Sequence, residues 1–145
     1  KEHIGSRDSV FFHGFLPHSE TIKYILAFDV CLVPNQKHVW IHGKSIGQWT
    51  SPLKIFEYMA AGKTIISSDL VVLREVLVPE ETALLCPPED IGAWAKALER
   101  LNNDRALCCQ LGENARRQFL KEYTWRSRAK NVLMPMAEKT RDSTD

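Results

Sequence analysis

The fold is decided in residues 51–68, which read SPLKIFEYMAAGKTIISS. Ser51-Pro52 is typical of a helix start, because serine caps the first turn and proline is favoured within it. The apolar spacing that follows predicts a helix from Leu53 to Ala61, and Gly62 is a typical C-terminal stop. A strand is predicted directly after it, at residues 64–68. A helix that leads into a buried strand indicates an α/β fold.

Strand and helix patterns alternate on both sides of this unit. A short β-type run covers Val10 to Gly14, and further strands are predicted at Asp29 to Pro34 and at Thr82 to Cys86. Residues 35–50 read as one long polar loop that contains aromatic residues. Helical patterns cover residues 17–27, 71–78, 91–101, 107–119 and 124–139. The sequence therefore predicts an α/β domain with a largely parallel sheet, flanking helices and a helical C-terminal segment.

Length and composition exclude several classes of protein. The 145 residues fit one domain, taken as residues 1–145, and 44% of them are hydrophobic, which excludes disorder for most of the chain. Nineteen Lys and Arg face eighteen Asp and Glu, so the net charge of +1 excludes a strongly basic nucleic-acid binder. The sequence has no apolar run of about 18 residues, the length that a membrane span requires.

The cysteine pattern argues against a metal site. Cys31 and Cys86 lie in predicted strands, whereas Cys108 and Cys109 are adjacent on a predicted helix. Zinc requires converging ligand pairs, and this spacing does not supply them. We therefore expect neither metal nor cofactor, and we expect free cysteines in a reducing cytoplasm.

The start of the helix after Ser51 is the strongest candidate for a ligand site. Free backbone N–H groups and the positive end of the helix dipole favour an anion such as phosphate at residues 51–54, where Lys54 adds a formal charge. Glu57 follows one turn later and could accept hydrogen bonds from the vicinal hydroxyls of a ribose. The alternative stays open at this point, since many Ser-Pro helix starts bind nothing and Glu57 could be an ordinary solvated residue.

The same residues carry a resemblance to a known family. The run from Ser51 to Asp69 resembles the donor-site signature of retaining glycosyltransferases of family 4, which are enzymes of the GT-B type with two Rossmann domains. Segments in the order that this family shows are 10–14, 29–34, 73–77, 83–88 and 123–125. The resemblance covers roughly residues 9–130. It implies a Rossmann-like donor-binding domain that holds a nucleotide-activated sugar, with a UDP- or GDP-sugar as the expected partner.

The resemblance also implies which residues bind the donor. Glu57 is expected to hold the ribose hydroxyls, residues 51–54 to meet the diphosphate, and residues 14–16 to lie near the base. The complete expected set is Gly14, Phe15, Leu16, Ser51, Pro52, Leu53, Lys54 and Glu57. No catalytic residue is assigned, because no general base can be identified.

Two departures from the family pattern affect what the chain is expected to do. Many members carry another glutamate eight positions before the one that matches Glu57, and that position is Trp49 here. Members also have two strand–helix units before the Val10 strand and an N-terminal acceptor domain. We therefore expect a partial domain that is inactive alone and whose uncovered sheet surface favours self-association. The alternative is a non-catalytic α/β module that binds a nucleotide or a protein.

Two further expectations concern the C-terminal third of the chain. Trp94, Phe119 and Trp125 are at helical spacing and are predicted to lie in the core. A basic region between Arg116 and Lys130 reads as a solvated helix face by default. Contact with a phospholipid surface at the cytosolic face of a membrane, or with the acceptor domain, is the alternative for this region.

Overall fold

A computed structural model of the chain describes residues 10–36, 40–41, 44–45, 53–127 and 129. The helices are α1 (His18–Ala27), α2 (Leu53–Ala60), α3 (Val71–Arg74), α4 (Ile91–Asn103), α5 (Arg105–Gln118) and a π-helical turn (Phe119–Tyr123). The strands are β1 (Val30–Val33), β2 (Trp40–Ile41), β3 (Lys44–Ser45), β4 (Thr64–Ser68) and β5 (Leu84–Cys86). Within the described ranges, every helix is too short or too polar to cross a bilayer.

A three-stranded parallel sheet is the centre of the fold, with the strand order β1-β4-β5. Cys31 pairs with Ile65 on one side of β4, and Leu84 pairs with Ile66 on the other side. All five residues of β4 are buried, as is usual for a parallel strand covered by helices on both faces. The predicted α/β, Rossmann-like class is therefore confirmed.

The core divides between the two faces of β4, because successive side chains of a strand point in opposite directions. Ile65 belongs to a cluster with Ile55 and Met59 of α2. Ile66 belongs to a second cluster with Leu101 of α4 and Leu111 of α5. The helix that precedes β4 is thus anchored on one face, which holds the start of α2 at one edge of the sheet.

The turn between α2 and β4 ends the helix at Gly62, as the sequence predicts. Gly62 has a φ of +68°, a left-handed conformation that favours glycine. The N–H of Gly62 donates to the carbonyl of Met59 at 2.9 Å, and that of Lys63 donates to Tyr58 at 2.9 Å. This pair of bonds is a Schellman motif, which ends α2 and turns the chain directly into β4.

The structure differs from several of the predicted elements. The segment from Val10 to Gly14 is not a strand, and Phe12 is 84% exposed. A strand needs a hydrogen-bonded neighbour, and in the described part of the chain no strand lies beside this segment. The predicted loop at residues 35–50 contains the antiparallel pair of β2 and β3.

The predicted helix at residues 71–78 ends at Arg74. The chain continues in a turn at residues 75–76, and Pro79 disfavours helical backbone at Val78, which opposes a helix as long as the predicted one. Thr82 lies in a turn before the following strand, since its N–H donates to the carbonyl of Val78 at 2.9 Å and its hydroxyl accepts from the N–H of Val78 at 2.9 Å. The strand predicted from Thr82 accordingly begins at Leu84.

The C-terminal aromatic residues differ from the prediction of a common core. Trp125 is 87% exposed, so its placement in the core was wrong. Phe119 is half-buried against the core, and Trp94 is half-buried with its indole N–H donating to the carbonyl of Pro87 at 3.0 Å. Residues 125–127 are helical, and most of the helix predicted at 124–139 lies outside the described residues.

Candidate functional site

The start of α2 presents an exposed, cation-bearing surface. Leu53 and Lys54 are exposed in the first turn, and that turn contains no acidic residue. The first N–H groups of a helix have no partner within it and carry a positive partial charge. Ser51 and Pro52, also predicted for this site, lie outside the described residues. The described part of the helix start is thus suited to an anion.

Glu57 lies one turn further along α2, where it borders a large groove. The groove has a volume of about 690 Å³, within the size range of small-molecule sites. We call it the aromatic groove, and its lining residues are Leu53, Phe56, Glu57, Ala60, Phe119, Glu122, Tyr123, Thr124 and Trp125. It therefore brings together two of the predicted site residues, Leu53 and Glu57, with a wall supplied by the C-terminal part of the chain.

That wall is built on the packing of α2 against the π-helical turn. The ring of Phe56 lies 5.0 Å from that of Tyr123 and 6.4 Å from that of Phe119, measured between centroids. Burial raises the pKa of Tyr123, with the charge of Glu122 acting in the same direction, so the phenol is neutral at neutral pH. Its hydroxyl donates to the carbonyl of Glu75 at 3.5 Å.

Sequence reasoning missed this wall. The signal available for it was the spacing of Phe119 and Tyr123, four residues apart, which places them on one side of a helical turn. The sequence analysis assigned residues 123–125 to a family segment and predicted Phe119 and Trp125 in the core, and it placed none of them at a ligand site.

The remaining predicted residues lie elsewhere. Gly14 has a φ of +67° in an exposed turn, Phe15 is 95% exposed, and Leu16 is half-buried just before α1. These three residues and Lys54 do not line the aromatic groove. The part of the chain that the structure describes also has no group of three or more His, Cys, Asp or Glu placed to hold a metal. A nucleotide-binding role for these residues stays a prediction.

Comparison with known proteins identifies the family. Residues 1–118 match the family described as "Glycosyl transferases group 1". Glycogen synthase from Mycobacterium tuberculosis strain H37Rv is 25% identical over 116 residues, which is 80% of this chain and 25% of that protein. An exopolysaccharide phosphotransferase from Streptomyces coelicolor is 38% identical over 65 residues, which is 44% of this chain and 7% of that protein.

A solved structure agrees with this assignment. Sucrose-phosphate synthase from Thermosynechococcus elongatus matches with a TM-score of 0.70 and 29% identity, covering 96% of this chain and 32% of that one. The chain thus spans 25% of the glycogen synthase and 32% of the sucrose-phosphate synthase that it matches. Since the family match extends over residues 1–118 of 145, the chain belongs to the glycosyl transferases group 1 family.

Proposed function

We propose that this chain supplies the donor-binding part of a retaining glycosyltransferase and that it holds a UDP- or GDP-sugar at the start of α2. The observation that carries the proposal is the juxtaposition on one helix of Lys54 and Glu57. Lys54 is exposed in a first turn that lacks acidic residues, and Glu57 faces a groove one turn further on.

The diphosphate of the donor would lie across the start of α2. Free backbone N–H groups and the Lys54 ammonium would stabilise the negative charge of the diphosphate, which increases as the sugar leaves. This charge stabilisation is the part of the transfer that the chain's own residues can perform. Ser51 and Pro52 stay part of the set proposed to bind the diphosphate.

The ribose and the base of the nucleoside would contact two different parts of the chain. The carboxylate of Glu57 would accept hydrogen bonds from the two ribose hydroxyls, which a carboxylate can do with both of its oxygens. Gly14, Phe15 and Leu16 would lie beside the base. Phe15 supports that assignment, because its ring is almost fully exposed and available for stacking.

The complete transfer requires more than this chain. The sugar would pass from the nucleoside diphosphate to an acceptor with retained configuration at the anomeric carbon, and an N-terminal acceptor domain would bind that acceptor. The chain covers 25% of the length of the glycogen synthase and 32% of that of the sucrose-phosphate synthase, which supports a separate acceptor-binding domain. We further propose a cytoplasmic location, which the four free cysteines support, because reducing compartments keep thiols unpaired.

A thermal-shift titration of the 145-residue chain with UDP, GDP and ADP tests the proposal. A nucleotide at 100 times its dissociation constant raises the free energy of unfolding by about 2.7 kcal/mol. We expect one of the nucleotides to stabilise the chain. Glu57→Gln removes a charged hydrogen-bond partner worth about 1.5–3 kcal/mol, so it should weaken binding by about 10- to 100-fold.

The matched control is Lys96→Ala, which removes an exposed lysine from α4 and should leave nucleotide binding unchanged. Lys54→Ala should weaken binding of the nucleoside diphosphate more than that of the nucleoside. A folded chain that none of the three nucleotides stabilises would count against donor binding and in favour of a non-catalytic module.

A further inference from the structure

The two charged residues of the proposed donor site, Lys54 and Glu57, lie on either side of Phe56 in α2. On the side of α2 that faces the sheet, Ile55 is buried in the same cluster as Ile65 of β4. A helix that is held along one face alone can still tilt or rotate about that line of contact. A binding group has to be kept within about 0.5 Å of its productive position. The proposed site therefore requires a second support for the start of α2.

The π-helical turn supplies this second support. The rings of Tyr123 and Phe119 lie 5.0 Å and 6.4 Å from the ring of Phe56, measured between centroids. All three side chains are partly buried against the core cluster that contains Ile55. Aromatic rings at such distances attract one another through their edges and faces, in addition to burying apolar area. The turn thus contacts α2 at the residue that directly precedes Glu57.

The turn is itself fixed by hydrogen bonds before and after it. It continues α5 without a break, since the N–H of Phe119 still donates to the carbonyl of Ala115. Beyond its end, the hydroxyl of Ser127 donates to the carbonyl of Lys121 at 2.8 Å, and the N–H of Ser127 donates to the hydroxyl of Thr124 at 3.1 Å. Helical turns of the π type are rare and occur frequently at functional sites. Because the turn is fixed in this way, its rings determine the position of the ring that they contact on α2.

These two rings lie beyond the part of the chain that the family comparison covers, because the match ends at residue 118. We infer that Phe119 and Tyr123 are positioning residues for donor binding, since they fix the start of α2 through Phe56. The two charged residues of the donor site are placed by the same contact. The inference rests on the proposed function for the identity of the ligand, whereas the support of α2 by the turn does not depend on a ligand.

Amide hydrogen exchange of the 145-residue chain without nucleotide tests the support of α2. Tyr123→Leu removes the nearer ring and keeps an apolar side chain. We expect the hydrogen-bonded N–H groups at residues 57–60 to exchange about threefold faster or more, relative to those of α4, because the helix opens locally. Tyr123→Phe keeps the ring and should exchange as the parent chain does. It loses only the hydrogen bond to the carbonyl of Glu75, which at 3.5 Å is long and weak.

Calorimetric titration tests the consequence for the donor, with whichever of UDP, GDP and ADP stabilises the parent chain, at a temperature at which every variant is folded. Tyr123→Leu should weaken binding by about 3- to 30-fold, the range of effects of residues that act on a site without contacting its ligand. Tyr123→Phe should bind as the parent chain does. Phe56→Leu should weaken binding similarly, and the double variant no further, because both substitutions remove the same contact.

The matched control is Leu107→Ala, which truncates a partly buried residue in the core cluster on the other face of β4. It should destabilise the chain and leave nucleotide affinity unchanged. The inference is wrong if Leu107→Ala weakens binding as much as Tyr123→Leu does, or if Tyr123→Leu leaves the exchange of α2 as in the parent chain. Weaker binding without faster exchange would mean that Tyr123 contacts the nucleotide directly, which also contradicts the inference.

Failure of the proposed function is observed separately. A parent chain that binds none of the three nucleotides overturns donor binding and, with it, the role of the two rings in that binding. The exchange of α2 in Tyr123→Leu then reports by itself whether the π-helical turn supports the helix.

Discussion

Cys108 and Cys109 show how a single position along a helix decides the chemistry of a side chain. Consecutive residues of a helix point about 100° apart, so Cys108 is buried and Cys109 is exposed. Cys31 and Cys86 are buried in the sheet. Burial raises the pKa of the Cys31 thiol to about 11, although the charge of Lys63 acts in the opposite direction. Only a thiolate is a good nucleophile, so exposure and pKa together predict very different reactivities.

The first prediction concerns thiol labelling of the folded chain. At pH 8 a water-soluble disulfide reagent should modify Cys109 rapidly and the three buried cysteines slowly, so one thiol of four reacts in the fast phase. Denaturation should expose all four. Cys109→Ser should abolish the fast phase without changing the slow one. A fast phase that persists in this variant would show that a cysteine described as buried is accessible.

The second prediction concerns the ion pair between Asp69 and Arg74. Hydrogen bonds from Arg74, whose Nη2 lies 2.7 Å from Asp69 Oδ2, lower the pKa of the Asp69 carboxyl from its usual 3.8. A lowered pKa in the folded state stabilises the fold above pH 3.8, and this stabilisation is lost as the pH falls through the lowered value. Asp69→Asn should therefore lower the melting temperature slightly at pH 7 and progressively less below pH 3.8.

The control for this pair is Glu99→Gln, which alters an exposed carboxylate on α4. Melting curves between pH 2.5 and 7 measure both variants against the parent chain. A difference between Asp69→Asn and the parent chain that does not change with pH would contradict the assignment.

At the scale of elements, α2 and α5 are held together by the close approach of two glycines. Gly112 is buried in the middle of α5, and a Cβ there would overlap the carbonyl oxygen of Gly62 at the end of α2. The neighbouring atoms are backbone, which cannot move aside as the end of a side chain can. The spacing between the two helices is thus set by the absence of a side chain at Gly112.

The third prediction is that Gly112→Ala destabilises the chain. Alanine is better than glycine in a helix by about 1 kcal/mol, but overpacking of this kind costs about 1–3 kcal/mol. We therefore expect a net loss of up to about 2 kcal/mol in the free energy of unfolding, measured by urea denaturation. Cys109→Ala, at an exposed position of the same helix, should be neutral or slightly stabilising. Greater stability of Gly112→Ala would mean that α2 and α5 can separate without cost.

At the scale of the whole molecule, apolar exposure is concentrated at one end of the described chain. Eight of its fifteen exposed large apolar residues lie within residues 10–32. The same region contains β1, which has one neighbour among the described strands and carries no charged residue along its edge. An open apolar strand edge is a template for pairing with another chain.

The fourth prediction is that the 145-residue chain self-associates through this end. Light scattering should show species larger than a monomer, in proportions that rise with protein concentration. The double variant Phe11→Ser with Phe12→Ser removes two of the exposed rings and should shift the distribution towards monomer. Ile91→Ser, equally exposed but on α4, should not. A clean monomer at high concentration would contradict self-association.

The elements whose structure depends on nearby residues can be predicted from the amino-acid sequence. The order of α2, Gly62 and β4 follows from helical spacing, a left-handed glycine and a buried β-type run, all within residues 53–68. Lys54 in the first turn of α2 and Glu57 one turn later follow from the same local pattern. The α/β class follows because such units alternate along the chain.

Tertiary structure alone decided the features that depend on distant neighbours. The β-type run at Val10 is not a strand, because a strand requires a hydrogen-bonded partner that no local pattern specifies. Helical spacing at Trp125 predicted burial, yet whether a helix face is covered depends on which element packs there. For the same reason the aromatic groove, formed by residues about 60 positions apart along the chain, exists only through the packing of Phe56 against Phe119 and Tyr123.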